Sequence, residues 1–381
     1  MALHLADLGV RPVRVDLAKL PEHGFAVRTG GGRPARVLLG TSDGMVDPAT
    51  CVAAWWRRPR AVAPPQREPS PPSTARAFGA AAGVPQDDDA RTRRLSDAEW
   101  TAALAGMVRV VRGTWVNDPG CEELARRKLA QLEAAREVGL PVPRTLVTND
   151  PALARRFVAA CRRGAIAKSL SSTADGGYTR AVRSRDEWLR DRLRVGPAIL
   201  QERVEGIDVR VTVVGDAIFA MSVDARHGSS PDDVRSCWDE IVASARPERL
   251  PEDLVRRVLA LHRRLGLRFG AVDLRRRRGG EYAFLEVNPS GQWMHAEDAT
   301  GHPIGATLAR LLACGAAGAS SRTSPAPGAS PRRVPPRHTG RATASVTNAT
   351  GTARPPQNAP SPPRTSPAPG SAPVQARVGL R

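Results

Sequence analysis

The sequence predicts an α/β (α+β) protein: an N-terminal α/β unit, two further subdomains, and a C-terminal segment with no fold of its own. Three observations carry this. Short strand-like runs such as Ala35–Gly40 and Val209–Val213 alternate with helical stretches. Two strand–turn–strand segments, Ala198–Val223 and Phe269–Trp293, fall in the second half of the chain. From Gly315 to Arg381 the composition falls to Pro, Ala, Ser, Thr, Arg and Gly. Such a segment buries too little apolar area to offset an ordering entropy of roughly 1–2 kcal/mol per residue, and is expected to be a disordered basic tail.

In chain order, "RPVRVDL" (Arg11–Leu17) and "ARVLLG" (Ala35–Gly40) read as strands, and "CVAAWWRRP" closes the first unit. The interval 60–94, with six prolines and Asp87–Asp89, has no periodicity and reads as a flexible excursion. A helix is expected from Asp97, as N-cap, to Arg112. Pro119–Val138 reads as one helix, with Glu122 and Glu123 in its first turn and Gly139 at its end. On it Leu124, Lys128 and Leu132 share a face, so Lys128 either snorkels to the edge or reaches inward to a ligand. "VPRTLVT" is a strand, and Pro151–Cys161 a helix capped by Asp150.

Composition excludes several functions. No run of 18 apolar residues exists, so no membrane partner or span is expected. Five scattered cysteines without C-x-x-C spacing argue against a disulfide framework or zinc site and fit a reducing cytoplasm. The formal charge of +19 suggests a nucleic-acid-binding protein, but nine arginines lie in the tail and no aromatic-interleaved basic surface appears. Of 57 basic residues only Lys19, Lys128 and Lys168 are lysines, which marks them for tasks needing a compact ammonium.

Three constellations carry chemistry. In "AIAKSLSSTADGG" (Ala165–Gly177) a short strand delivers Lys168 to a small-residue loop able to close over phosphates, although a plain surface loop reads similarly. In "AILQERVEGIDVRVTVVGDAIFAMSV", Val209, Val211 and Val213 face one side, and Asp208, Arg210 and Thr212 the other, as a salt-bridged face would also do. In "FGAVDLRRRRGGEYAFLEVNPSGQW", a two-residue turn at Gly279–Gly280 sets Asp273 opposite Glu286, with Asn288 on the same face. With no lysine expected beside them, two carboxylates and an amide oxygen converging there call for a hard cation such as Mg²⁺ or Mn²⁺.

The order of these features resembles the ATP-grasp superfamily: Lys128 before "GLPVPRT", Lys168 before a Gly/Ser loop, "QERVEG-D-R", then Asp273 and "LEVNPSG". More closely, "WWRRP", "WVNDP", "TLVTNDP", "VRVTVVGD" and "EVNPSGQW" followed by "DATGHPI" resemble the ATP-grasp ribosomal peptide maturases, or graspetide synthetases of microviridin type. The match spans about residues 10–312. The chain departs from the family in lacking the opening strand and helix before "RVD", so an upstream start or an incomplete first unit is expected.

The resemblance implies an ATP-grasp fold with a pre-ATP-grasp domain (1–118), a central lid subdomain (119–196), a catalytic subdomain (197–314) and the tail (315–381). It implies that Lys128 and Lys168 contact ATP phosphates, that Glu202, Arg203 and Val204 line the adenine pocket, and that Asp208 sits by the ribose. Asp273, Glu286 and Asn288 would hold Mg²⁺ (or Mn²⁺), and Arg210 and Arg235 would stabilise charge during phosphoryl transfer. The implied activity joins Asp or Glu side chains of a precursor peptide, guided by its leader segment, to hydroxyls or amines. The resemblance admits a homodimer. The alternatives are an amino-acid or protein-terminus ligase of glutamate-ligase type and a basic nucleic-acid-binding protein.

Overall fold

The computed structural model of the chain describes residues 1–57, 88–111, 114–171, 179–229 and 238–315. Within these, no helix is long and apolar enough to cross a membrane.

The N-terminal unit opens with helix α1 (Ala2–Asp7) and a short helix α2 (Leu20–His23). Strands β1 (Phe25–Gly30), β2 (Arg33–Thr41) and β3 (Gly44–Val46) form an antiparallel meander. β2 contains the expected Ala35–Gly40 run. Arg11–Leu17 is not a strand: it runs irregularly into a 3-10 turn, Leu17–Lys19, whose first amide region is capped by Asp16. Its alternation came from burial, since Val15, Leu17 and Leu20 are fully buried beside Val37, Leu39 and Trp56 with no neighbouring strand to pair with. Strand β4 (Ala53–Trp55) pairs in parallel with β5 (Thr114–Val116). Helix α3 runs Asp88–Val110, starting nine residues before the expected Asp97 and taking up the end of the 60–94 interval. The remainder of that interval, like the tail beyond 315, lies outside the described residues.

A second sheet has the order β6 (Thr145–Thr148), β9 (Ala198–Glu202), β7 (Ala165–Lys168), β8 (Arg180–Val182). Helices α6 (Pro151–Ala160) and α7 (Glu187–Val195) cover it through Ala154, Val158, Leu189 and Leu193. Asp150 caps α6 as expected, its carboxylate accepting from the Ala152 and Leu153 amides. β9 lies inside this sheet, so the chain leaves it at Glu202.

The third sheet has the order β12 (Arg246–Pro247), β11 (Ala217–Val223), β10 (Ile207–Val214), β13 (Phe269–Arg276), β14 (Tyr282–Asn288). Gly215, at φ +62°, makes the expected β10–β11 turn. Helix α8 (Trp238–Ile241) precedes β12, and helix α9 (Glu252–Leu265) packs on one face. The stripe Leu254, Val258, Leu261 and Leu265 of α9 meets Val209, Val211, Val213, Val272 and Leu274, each buried side chain contributing about 1.5–3 kcal/mol. Acids in its first turn and left-handed Gly266 at its end fix its length. Helices α10 (Met294–Thr300) and α11 (Ile304–Ala313) cover part of the opposite face around Val214, Met221 and Phe269.

The β13–β14 hairpin reaches the expected register by another route. Its loop has three residues, Arg278–Gly280, closed by Gly280 N to Arg277 O at 3.0 Å and Arg277 N to Glu281 O at 2.8 Å. Gly280 takes φ +89°, the geometry of a type I turn with a glycine bulge. That pairs Leu274 with Phe284, one residue off the expected alignment, and a bulge at Leu285 restores it so that Asp273 faces Glu286.

Pro119–Val138 is two helices, α4 (Pro119–Ala125) and α5 (Lys128–Glu137), packed on α9 and β14. The break has no Gly or Pro to announce it. Gln131 causes it by donating to Ala125 O (2.6 Å) and Val287 O (2.9 Å) while accepting from Val287 N (3.0 Å). Leu124 is consequently 53% exposed and does not share an apolar face with Lys128. A second buried amide, Asn117, accepts from Arg268 N (2.9 Å) and Phe269 N (2.8 Å) and donates to Phe269 O and Pro289 O (both 2.9 Å).

His262 on α9 lies buried under Gly270, where an added Cβ would come 3.0 Å from its Nε2. Burial, with Arg263 adding to it, holds its pKa down at about 4. The unfolded chain binds this proton near pH 6.5, so between pH 6.5 and 4 it holds more protons than the folded chain. Stability should therefore fall as pH drops through that window, by roughly 3 kcal/mol at full effect. Denaturant unfolding of His262→Leu against pH should show a flatter acid limb; an unchanged slope would reject this origin.

Candidate active site

Alternation along β10 sends Val209, Val211 and Val213 into the core and Asp208 and Arg210 to the other face. There they meet β13 in two pairs of opposite sense. Arg275 donates to Asp208 Oδ1 from Nη2 (2.5 Å) and Nε (3.2 Å), both side chains being nearly buried. Arg210 Nη1 lies 3.0 and 3.2 Å from the two oxygens of Asp273, and its Nη2 reaches Gln292 O at 3.4 Å. Arg275 also donates to Val204 O at 3.2 Å, tying β13 to the chain leaving β9.

Asp273 and Glu286 face each other as expected, and Asn288 lies two residues on. The expectation that no lysine stands beside them is corrected. Lys128 Nζ is 3.8 Å from Glu286 Oε2, and Arg210 engages Asp273. The protein's own cations therefore relieve part of the carboxylate repulsion, and opposed acids alone no longer require a metal. Among the described residues no cluster of three or more His, Cys, Asp or Glu side chains could hold a metal by itself. The donor set still fits a hard cation that keeps water or phosphate ligands. Glu286 is one-third exposed, and among the described residues Asn288 Oδ1 takes a single hydrogen bond, from Ser290 N at 3.0 Å.

The helix break puts Lys128 at the first position of α5, where its Nζ donates to Ser169 O at 2.9 Å. Lys168 ends β7 as expected, and its Nζ donates to Gln201 Oε1 at 3.2 Å. Gln201 is anchored in turn by donating to Thr145 Oγ1 at 3.0 Å. Burial pushes the Lys168 amine below the ordinary lysine value; Glu286 opposes this, Lys128 and Arg275 add to it, and Asp273 opposes it. Both lysines and Glu286 line one cleft with Gln131 and Gln201, closed by the apolar side chains of Leu132, Ile199 and Leu285. The structure thus brings together Lys128, Lys168, Arg210, Asp273, Glu286 and Asn288 where the second and third sheets meet.

Glu202 ends β9, and Arg203 and Val204 follow it in the irregular segment that leaves this cleft. The Glu202 and Arg203 amides are committed to Arg144 O (2.9 Å) and Gly164 O (3.0 Å). Arg203 and Val204 open onto a neighbouring cleft of about 360 Å³ walled by Gly206, Ile207, Arg226 and Arg275–Arg278. Asp208 is committed to Arg275. Arg235 and residues 172–178 of the loop after Lys168 lie outside the described residues. Gln131, Gln201, Leu285 and Asn117 were not foreseen as part of the site or its support. Gln201 in "QERV", Asn117 in "WVNDP" and Leu285, next to Glu286 in an apolar run, each stood in a stretch that the sequence marked; Gln131 carried no signal.

No protein-family model matches the sequence, and no curated protein matches it. Solved structures do share the fold. A RiPP-associated ATP-grasp ligase of Chryseobacterium gregarium, in complex with ADP and a leader and core peptide, matches with TM-score 0.67 at 22% identity over 82% of this chain and 91% of that one. The macrocyclase MdnB of Microcystis aeruginosa MRC matches with TM-score 0.62 at 27% identity over 82% and 93%. The ATP-grasp ligase PsnB, complexed with a minimal precursor, Mg and ADP, matches with TM-score 0.60 at 23% identity over 82% and 91%. The chain therefore has the ATP-grasp fold expected from its motifs.

The Asp208–Arg275 pair is the most buried of the two cross-strand pairs, and its parts should be unequal to its whole. Arg275→Met should destabilise by about 3–5 kcal/mol by stranding a buried carboxylate, and Asp208→Leu combined with it should recover more than half. Chemical denaturation of the single and double variants measures this; additive losses would show that the two side chains do not depend on each other.

Proposed function

With the ATP-grasp fold as its premise, we propose that this chain is an ATP-dependent ligase of the graspetide-synthetase type. It activates Asp or Glu side-chain carboxylates of a ribosomally made precursor peptide as acyl phosphates and closes ester or amide rings, in the cytoplasm. The observation that carries this reading is that Lys128, Lys168 and Glu286 line one cleft between two sheets, with Asp273 facing Glu286 across the ladder, Arg210 on Asp273 and Asn288 two residues beyond Glu286. Two of the neighbours that share the fold were solved with ADP, one with a leader and core peptide and the other with a minimal precursor and Mg, and the motif resemblance covers the same stretch.

A carboxylate does not acylate a hydroxyl or amine at neutral pH because its leaving group is poor. A carboxylate oxygen attacks the γ-phosphorus and ADP departs; the hydroxyl or amine then attacks the acyl carbon, phosphate leaves and the nucleophile loses its proton. Catalysis is chiefly positioning and charge neutralisation. Lys128 and Lys168 hold phosphate oxygens, and the partly buried setting of Lys168 strengthens its contacts by limiting water. Asp273, Glu286 and Asn288 would hold a Mg²⁺ that draws charge from the phosphates. Arg210, already seated on Asp273, and Arg235 would face the transferring group. Glu202–Val204 and Asp208 would border the nucleoside; because Asp208 is paired, Arg275 is expected to share that contact.

The test is ATP-dependent conversion of a precursor peptide, encoded beside this gene and rich in Thr and Asp or Glu, read as loss of one water per ring by mass. Glu286→Gln should abolish phosphate release. Lys168→Arg should cost around a hundredfold, since a planar guanidinium displaces the phosphates by about 1 Å. Lys19→Arg, in the 3-10 turn of the N-terminal unit, is the control. Equal rates for the two lysine variants would remove Lys168 from the site. Addition of free amino acids to a peptide terminus, without ring closure, would reassign the enzyme to another ligase class.

A further inference from the structure

Asn288 ends β14, and the chain then turns through Pro289, Ser290 and Gly291. A side-chain amide can present either oxygen or nitrogen by rotating half a turn, and only the oxygen serves a cation. Here the choice is made by Ser290 N, which donates to Asn288 Oδ1 at 3.0 Å and leaves that oxygen a second lone pair.

Ser290 is itself held from below. Its side chain is 3% exposed, and its Oγ donates to Glu122 Oε1 at 2.5 Å while accepting from Arg126 Nη2 at 3.2 Å. Arg126 also donates to Glu122 Oε1 at 2.5 Å. Glu122, on α4, is 1% exposed, and its Oε2 is buried with no hydrogen-bond partner among the described residues. Holding a serine needs only one acceptor, which a neutral amide would supply without a buried charge. Gly291 closes the turn from the other side: its amide donates to Asn288 O at 3.2 Å, and a Cβ there would collide with Ala271 at 2.5 Å.

We propose that Glu122, acting through Ser290 and braced by Arg126, is a positioning residue for the cation site: it fixes the Asn288 amide with its oxygen available to a divalent metal. The inference rests on the reading that Asp273, Glu286 and Asn288 hold Mg²⁺. It extends that site into α4, a helix none of whose residues lines the cleft.

The experiment uses the full chain and Mn²⁺ as the probe, with a non-hydrolysable ATP analogue present, free Mn²⁺ being read by electron paramagnetic resonance. Ser290→Ala and Glu122→Ala should weaken Mn²⁺ about 10- to 100-fold, the usual cost of removing a group that orients a metal ligand. The KM for Mg²⁺ should rise by the same factor while kcat at saturating Mg²⁺ stays within a few-fold, and Ser290→Thr, which keeps the hydroxyl, should restore affinity. Wild-type Mn²⁺ affinity in both variants, with Asn288→Ala still weakened, would overturn the positioning role and leave the metal reading standing. Wild-type affinity in Asn288→Ala and Glu286→Gln as well would overturn both. Should either variant fail to fold, Ser290→Cys, which keeps the size but donates only weakly, decides the matter by the same two outcomes.

Discussion

The site depends on a requirement of backbone chemistry: buried amides and carbonyls at the ends of β13 and β14 must find partners. Two side-chain amides provide them. β14 is the edge of its sheet, and Gln131 bonds both the N–H and the carbonyl of Val287 as a further strand would. Asn117 does the same for Phe269 where β13 begins, and also takes the carbonyl of Pro289 just beyond β14. A buried group left unpaired costs about 1–3 kcal/mol, so these two residues decide where the hairpin can sit. Asp273, Glu286 and Asn288 are carried on it, and Lys128 is carried on the helix that Gln131 anchors.

The electrostatics of the cleft follow from that placement. Lys128, Lys168, Arg210 and Arg275 stand beside Glu286, Asp273 and Asp208, so the acids are balanced by bases before any nucleotide enters. Incoming phosphates would compete with carboxylates for the same cations, and a metal on the carboxylates would free lysine charge for phosphate. Among these seven side chains four bases meet three acids, so their signs are nearly matched.

Much of this was legible in the residues. The β10–β11 hairpin, with its glycine turn, stands where alternation placed it. Lys168 ends its strand, Asp150 caps its helix, and Asp273 faces Glu286. That last agreement came from two departures that cancel: a three-residue loop displaced the ladder by one residue, and the bulge at Leu285 displaced it back. The division of Pro119–Val138 was not legible, because its cause is a contact between Gln131 and a strand more than 150 residues away. Arg11–Leu17 misled because period-two burial and strand pairing give the same pattern when the neighbours are unknown. The Lys128–Glu286 approach was hidden for the same reason as the helix break. Periodicity describes an element's own faces, whereas the site is made by what lies across from them.

The opposite-sense pairs on β10 and β13 have a consequence for how the chain assembles. Reading across the ladder, acid meets base at Asp208–Arg275 and base meets acid at Arg210–Asp273. Sliding β13 by two residues one way sets Asp208 against Asp273; sliding it the other way sets Arg210 against Arg275. Sliding it by one drives Asp273 and Arg275 into the valine face. The native alignment is thus the one nearby arrangement in which every charge meets its opposite, and like charges directly across a ladder repel. The four side chains act as a key that only one alignment of the strands will turn, so mispaired intermediates are penalised while the sheet is still forming.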